Sequence, residues 1–191
     1  INSHEDAIEE ALFATVTDGF YGLASVAPTT GQGTYEGINS ATDIWWRNYA
    51  ATYLGAGTDL DTQLTTAINT ASKGTGSKLA PTLLVSGAEA QGLFEGTQQA
   101  FQRYIDVEEM KAGFKIISMK NARWVFSQYG GTTIYGLNPK SYNLTVSKDA
   151  FREKGDTVEI PNMNGFVFKL FSLLQSTTNN KSRLFNLSES G

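Results

Sequence analysis

Trp45 and Trp46 stand side by side in a short stretch, Thr34 to Asn48, that reads TYEGINSATDIWWRN. Arg47 and Asn48 follow them directly, and a Gly-containing turn precedes them. Large rings are costly to leave in water, so part of this segment is expected to be buried or to lie at an interface. The plain reading is a core anchor between two domains.

At 191 residues the chain is one large domain or two small interlocked ones. Hydrophobic residues make up 40%, enough for a proper core, while charged residues reach only 18%. That is below the roughly 25% of ordinary soluble domains. With 12% aromatics, it suggests that much surface ends against other chains. The net charge is −4 and the basic residues are scattered, which disfavours a nucleic-acid binder. Lys181-Ser182-Arg183 is too short to count as a basic patch. No cysteine is present, so disulfides, thiolate zinc sites, iron–sulfur clusters and Cys nucleophiles are excluded. No stretch is long and apolar enough to span a membrane as a helix. Ile1-Asn2-Ser3-His4 has no initiator Met and does not resemble a signal peptide, so the expectation is a processed product or a fragment.

Ser3 to Thr15 is predicted as a helix, with Ser3 as N-cap, Asp6 at the capping-box offset and an apolar stripe on Ala7, Ile8, Ala11, Leu12 and Thr15. Asp18-Gly19 breaks it. Phe20 to Ala27 reads as a buried extended segment or short strand, and Pro28 to Gly33 as a loop. Asp59 to Ser72 is the clearest helix, capped by Asp59 and ended at Lys73-Gly74. Pro81 to Val85 is a short buried strand, and Ser86 begins a helix with Glu89 at the capping-box offset. A strand feeding a capped helix is a two-layer α/β signal.

Strands are then expected at 113–118, 122–128, 132–137 and 142–146, with turns at Met119-Lys120-Asn121, Gly130-Gly131 and Asn138-Pro139. Val158 to Pro161 is extended. Phe166 to Leu174 tips toward strand on its Phe and Val content. A turn over 177–181 precedes a last strand at 182–187.

Gly37-Ile38-Asn39-Ser40-Ala41-Thr42, followed by Trp45-Trp46-Arg47-Asn48, resembles a signature of tailed-phage or prophage major capsid proteins with the HK97-like fold. The pattern departs at Glu36, where Gly is usual, and at Ser40, where Arg is common. Gly22-Leu23 and the loop Thr29 to Gly33 precede it in the order of that family. Further along, the strand at Pro81 to Val85, the helix after it and Gln102-Arg103-Tyr104 match a second segment. Ala112-Gly113-Phe114 and Tyr135-Gly136-Leu137-Asn138 match a third, and Asn180 to Leu184 follow the family's end loosely. The resemblance runs from about Ala11 to Leu187, and it is the order of several motifs that carries it.

The resemblance implies an α+β fold with an axial (A) domain and a peripheral (P) domain. It assigns 1–36 to the spine helix and part of the peripheral domain, 37–150 to the axial domain and 151–191 to return strands of the peripheral domain. The family's N-terminal arm and extended loop are lacking. It implies a structural shell subunit, not an enzyme, that assembles with itself as pentamers and hexamers into an icosahedral head enclosing phage DNA without sequence-specific binding. Scaffolding, portal or decoration proteins are candidate partners, and no membrane is involved. The expected location is the virion, after assembly in the host cytoplasm. Trp45, Trp46, Arg47 and Arg103 are the expected structural anchors, the arginines as ion-pair donors. No cofactor or metal is implied.

The other readings are an encapsulin-like compartment shell, and a carbohydrate- or small-molecule-binding module stacking its ligand on Trp45, Trp46 and Trp124. An enzyme ranks below these for want of a catalytic set. His4, the single histidine, has no credible Ser–His–Asp partner in sequence. Asp59-x-Asp61 fits a helix start better than a cation site. Glu108-Glu109 reads as a solvated face. Gly31-x-Gly33 and Gly74 to Lys78 lack the spacing of nucleotide loops. The Asn143, Asn180 and Asn186 triplets carry no sign of secretion.

Overall fold

The computed structural model describes residues 2–17, 19–55, 58–72, 80–98, 117–159 and 166–190. The polypeptide opens with helix α1 (Asn2–Phe13), which begins before Ser3, so Ser3 lies inside the first turn and not at its cap. A small hairpin follows, β1 (Val16–Thr17) with β2 (Phe20–Tyr21), closed by Gly19 at φ +83. The expected extended run to Ala27 stops there, and Leu23–Val26 instead form a one-turn helix, α2. Leu23 and Val26, three apart, both point into the core, which a strand could not arrange.

Hairpin β3 (Thr34–Tyr35) to β4 (Ile38–Asn39) leads through a 3₁₀ turn at Ile44–Trp46 into β5 (Tyr49–Tyr53). Helix α3 (Leu60–Ala71) buries the predicted stripe of Leu60, Leu64, Ala67, Ile68 and Ala71. Asp59 precedes it without capping it by a side-chain hydrogen bond. Its carboxylate instead accepts from the Leu54 amide at 2.7 Å and the Gln63 side chain at 3.2 Å, which ties the helix to the end of β5. Strand β6 (Leu83–Gly87) runs two residues further than the pattern suggested, and α4 (Ala88–Gln98) starts after it. Ser86 is therefore a buried strand residue and not a cap; its hydroxyl accepts from Trp124 Nε1 at 2.8 Å.

β7 (Ile117–Met119) and β8 (Ala122–Ser127) form a hairpin across Lys120 and Asn121, both at positive φ, as a type I′ turn requires. β9 (Ile134–Leu137) is buried along its whole length. β10 (Tyr142–Lys154) is far longer than the expected 142–146 strand and pairs with β13 (Leu170–Thr178). Between them β11 (Val158–Glu159) pairs with β12 (Phe166–Val167). A 3₁₀ turn at Lys181–Arg183, capped by the Asn180 side chain, delays the last strand, β14 (Phe185–Glu189), by three residues from its expected start. The loop at 74–78, the matches at Gln102-Arg103-Tyr104 and Ala112-Gly113-Phe114, and most of the strand expected at 113–118 fall outside the described residues.

Six strands build one mixed sheet in the order β5-β14-β9-β6-β8-β7. β14 runs parallel to β5 and antiparallel to β9, and β6 runs parallel to β8. The C-terminal strand thus lies inside the sheet, two places from β6. Burial on both faces explains why every residue of β9 is buried, and why Asn186 is buried in β14 together with Phe185 and Leu187. One face is covered by α3 and α4, where Leu64, Ile68, Phe94, Trp124, Phe185 and Leu187 share a core. The other meets α2 and Tyr35 of β3, with Leu12 and Phe13 of α1 packed against them.

Close approaches fix two glycines in this sheet. A Cβ at Gly136 would stand 2.0 Å from the Phe185 ring on the neighbouring strand. One at Gly87 would meet the Gly131 carbonyl at 2.0 Å, so the end of β6 and the predicted Gly130-Gly131 turn pack backbone to backbone.

Candidate assembly surface

The tryptophan turn is held from beneath by small polar groups. Ser40 is fully buried, and its hydroxyl sits between the Gly33 amide, which donates to it at 3.0 Å, and the Gly31 and Gly33 carbonyls. Asn48, also buried, donates to the Pro28 and Tyr49 carbonyls at 3.2 Å. The loop at 28–33 is thereby stitched to the 40–48 segment. Arg47 completes the stitch, donating from Nε to the Ser40 carbonyl and from Nη2 to the Ala41 carbonyl. Its described partners are backbone carbonyls, so here it acts as a backbone clamp. Arg103 lies outside the described residues.

The hairpin before this turn departs from its pattern at one costly place. Glu36 and Gly37 are its two central residues, at φ +51 and +80. Gly fits the left-handed region without strain; Glu does not.

The two tryptophans separate. Trp46 is 5% exposed and packed, while Trp45 is 66% exposed beside Ile44, which stands in solvent too. Their rings meet edge to face at 5.5 Å. Trp124 is 3% exposed, against Phe94. The three-tryptophan stacking platform considered from sequence therefore does not exist.

Beneath Tyr35 lies a feature with no signal in the sequence. Lys181 is fully buried; its ammonium stands 5.7 Å from the centre of the Tyr35 ring and has no hydrogen-bond partner among the described residues. Burial pushes its pKa down to about 8. The Tyr35 phenol is pushed well above its ordinary value, first by burial and then by the Glu36 charge. Its hydroxyl donates to the Ser176 carbonyl, anchoring β13 to the hairpin.

The paired strands β10 and β13 form a two-stranded ribbon outside the six-stranded sheet. α1 is tied to it through the Glu5–Arg152 ion pair and a 2.8 Å hydrogen bond between His4 Nε2 and Ser172 Oγ. No local motif signals that His4 meets a serine, because Ser172 is 168 residues away in the chain. The bond joins helix to ribbon, and among the described residues no carboxylate is bonded to the ring. Leu144, Val146, Phe151, Phe171 and Leu173 of the ribbon are all exposed. Asp59 and Asp61 sit at the start of α3, and among the described residues no three His, Asp or Glu side chains cluster as metal ligands. Among the same residues, no helix is long and apolar enough to cross a membrane.

This mixed sheet, with helices on its faces and a long ribbon beside it, is an α+β fold of the phage-capsid kind. A solved structure that it resembles is the capsid asymmetric unit of cyanophage A-1(L), with a TM-score of 0.63 over 98% of this chain and 68% of that one. The two are 15% identical, so the likeness defines the fold. A phage-related protein from Bordetella bronchiseptica is more distant, with a TM-score of 0.48 and 9% identity over 74% of this chain and 53% of that one. No family model and no curated protein matches the sequence.

Proposed function

We propose that the chain is a structural shell subunit of the major capsid kind, which associates with copies of itself into an icosahedral head enclosing phage DNA. The observation that carries this reading is a capsid-protein fold extending over 98% of the chain. The large apolar side chains left in solvent at Ile44, Trp45 and the ribbon support it, because a subunit meant to stay alone rarely exposes so many. The role is mechanical and not catalytic. In this reading the six-stranded sheet with α3 and α4 is the axial part, and α1 with the ribbon is the peripheral part. The boundaries 1–36, 37–150 and 151–191 then hold only approximately, since β14 is bonded within the axial sheet. A net charge of −4 suits a wall that encloses DNA without gripping it. Its location would be the virion.

Light scattering on the native particle tests the proposal, applied to this chain and to a longer form carrying native sequence upstream. Particles of megadalton mass from the longer form support a shell subunit. If every form stays monomeric, the reading fails and only the fold remains.

A further inference from the structure

Four buried side-chain atoms have no hydrogen-bond partner among the described residues: Trp46 Nε1, Asn48 Oδ1, Lys181 Nζ and Asn186 Oδ1. Leaving a polar group unpaired at such depth is costly, so each calls for a partner.

The four are not scattered through the fold. Asn48 and Asn186 donate to consecutive carbonyls, those of Pro28 at 3.2 Å and Ala27 at 2.9 Å. The strands they belong to are neighbours: the Tyr49 amide, directly after Asn48, donates to the carbonyl of Leu184, two residues before Asn186. The 3₁₀ turn at Ile44–Trp46 packs against the one at Lys181–Arg183, which leads into β14. Lys181 lies against Tyr35, and Tyr35 shares a core with Ala27 and Leu184. One polar seam, between the segment after α2 and the starts of β5 and β14, gathers them all.

The amide orientations are fixed by what the nitrogens do. Turning Asn48 over would set its oxygen against the Pro28 and Tyr49 carbonyls, and turning Asn186 over would set its oxygen against the Ala27 carbonyl. Both unpaired amide atoms are therefore true acceptors, while the indole N–H and the ammonium are donors only. This balance selects the ligand. An anion would satisfy Trp46 and Lys181 and be repelled by the amide oxygens. A metal cation would face the Lys181 ammonium. Water both donates and accepts, so it meets both kinds of group.

We infer that Trp46, Asn48, Lys181 and Asn186 form an internal water site, in which bound water bridges their unpaired atoms and joins the tryptophan turn to the start of β14. At about three hydrogen bonds per buried water, one or two molecules serve the four atoms. So few waters solvate an ammonium far less than bulk solvent does, which agrees with the lowered Lys181 pKa. The site is structural and does not depend on the shell reading.

A high-resolution crystal structure of the unaltered chain tests the inference, with a companion crystal soaked in sodium bromide. The expected result is ordered density at roughly 2.7–3.2 Å from at least one of the two donors and one of the two acceptors. The same density should show no anomalous signal after the soak. An anomalous peak in the seam would identify an anion site and overturn the inference. A seam in which the four atoms pair directly with one another, or stand unpaired with no density between them, overturns it as well.

Discussion

Lys181 places its ammonium 5.7 Å from the centre of the Tyr35 ring, inside the protein and without a hydrogen-bond partner among the described residues. The ring offers a partial counter-charge worth about 0.5–2 kcal/mol. Burial costs more than that. The folded state holds the Lys181 pKa at about 8 against an ordinary 10.5. Between those values the unfolded chain binds the proton more fully than the folded one, so stability rises with pH across the window. Below pH 8 the full penalty of about 3 kcal/mol remains. Tyr35, Tyr135 and Tyr142 are shifted upward by burial and reverse the slope above about pH 10, because the unfolded chain loses those protons first. Lys181→Met is expected to raise stability at pH 7 by about 1–3 kcal/mol and to flatten the rise between pH 8 and 10. Urea denaturation at a series of pH values measures both. A variant less stable than the parent at pH 7 would show that the amine has a partner of real value.

The Trp124 indole and the Ser86 hydroxyl form a buried pair 2.8 Å apart. Ser86→Ala leaves the indole N–H without an acceptor and should cost about 1–3 kcal/mol. Adding Trp124→Phe removes the orphaned donor, so the double variant should lose less than the two single losses summed. Additive losses in chemical denaturation would mean the hydrogen bond contributes little.

Glu36 occupies a left-handed backbone position at φ +51. Glu36→Gly should therefore stabilise the protein by about 0.5–1 kcal/mol, while Glu36→Ala, which keeps a Cβ, should not. Thermal unfolding of the two variants side by side checks this, and equal melting temperatures would remove strain as the cause.

Gly136 lies under the Phe185 ring, where an added Cβ would approach to 2.0 Å. Gly136→Ala is expected to destabilise the sheet by about 1–3 kcal/mol or more. Gly136→Ala/Phe185→Leu should recover part of the loss, since a smaller side chain makes room. A double variant worse than both singles combined would contradict this account.

Trp45 is the tryptophan that solvent reaches. In the dissociated chain, Trp45→Phe should remove most of the acrylamide-quenchable fluorescence and change stability by no more than about 0.5 kcal/mol. Trp46→Ala should cost about 3–5 kcal/mol. If Trp45 also lies between subunits, its quenching will fall as particles form. Unchanged quenching in megadalton particles would remove it from the interface.

How much was legible in advance can be judged from particular elements. The α3 stripe needed nothing beyond the spacing of Leu60, Leu64, Ala67, Ile68 and Ala71, since helix periodicity is a local property. The turns at Lys120-Asn121 and Gly130-Gly131 were read from residue type for the same reason. The full length of β10 is not legible locally, because its second half, VSKDAFREK, is charged and bulged and shows no regular alternation. Its partner β13 supplies the ordering, and that partner is distant in sequence. Asp59 and Ser86 both fit a local capping motif, but Leu54 and Trp124 compete for them from elsewhere in the fold.

The sequence by itself determined an α+β chain without cysteine chemistry, the main helices, most turns and the motif order of a capsid-type fold. Those features follow from backbone sterics and from the spacing of neighbours. Only the tertiary structure decided that β14 enters the middle of the sheet, that Trp46 is packed while Trp45 faces water, that Arg47 clamps carbonyls and that Lys181 is sealed beneath Tyr35. Each depends on which surfaces remain to be covered once the sheet has formed, and that is a property of the packed whole.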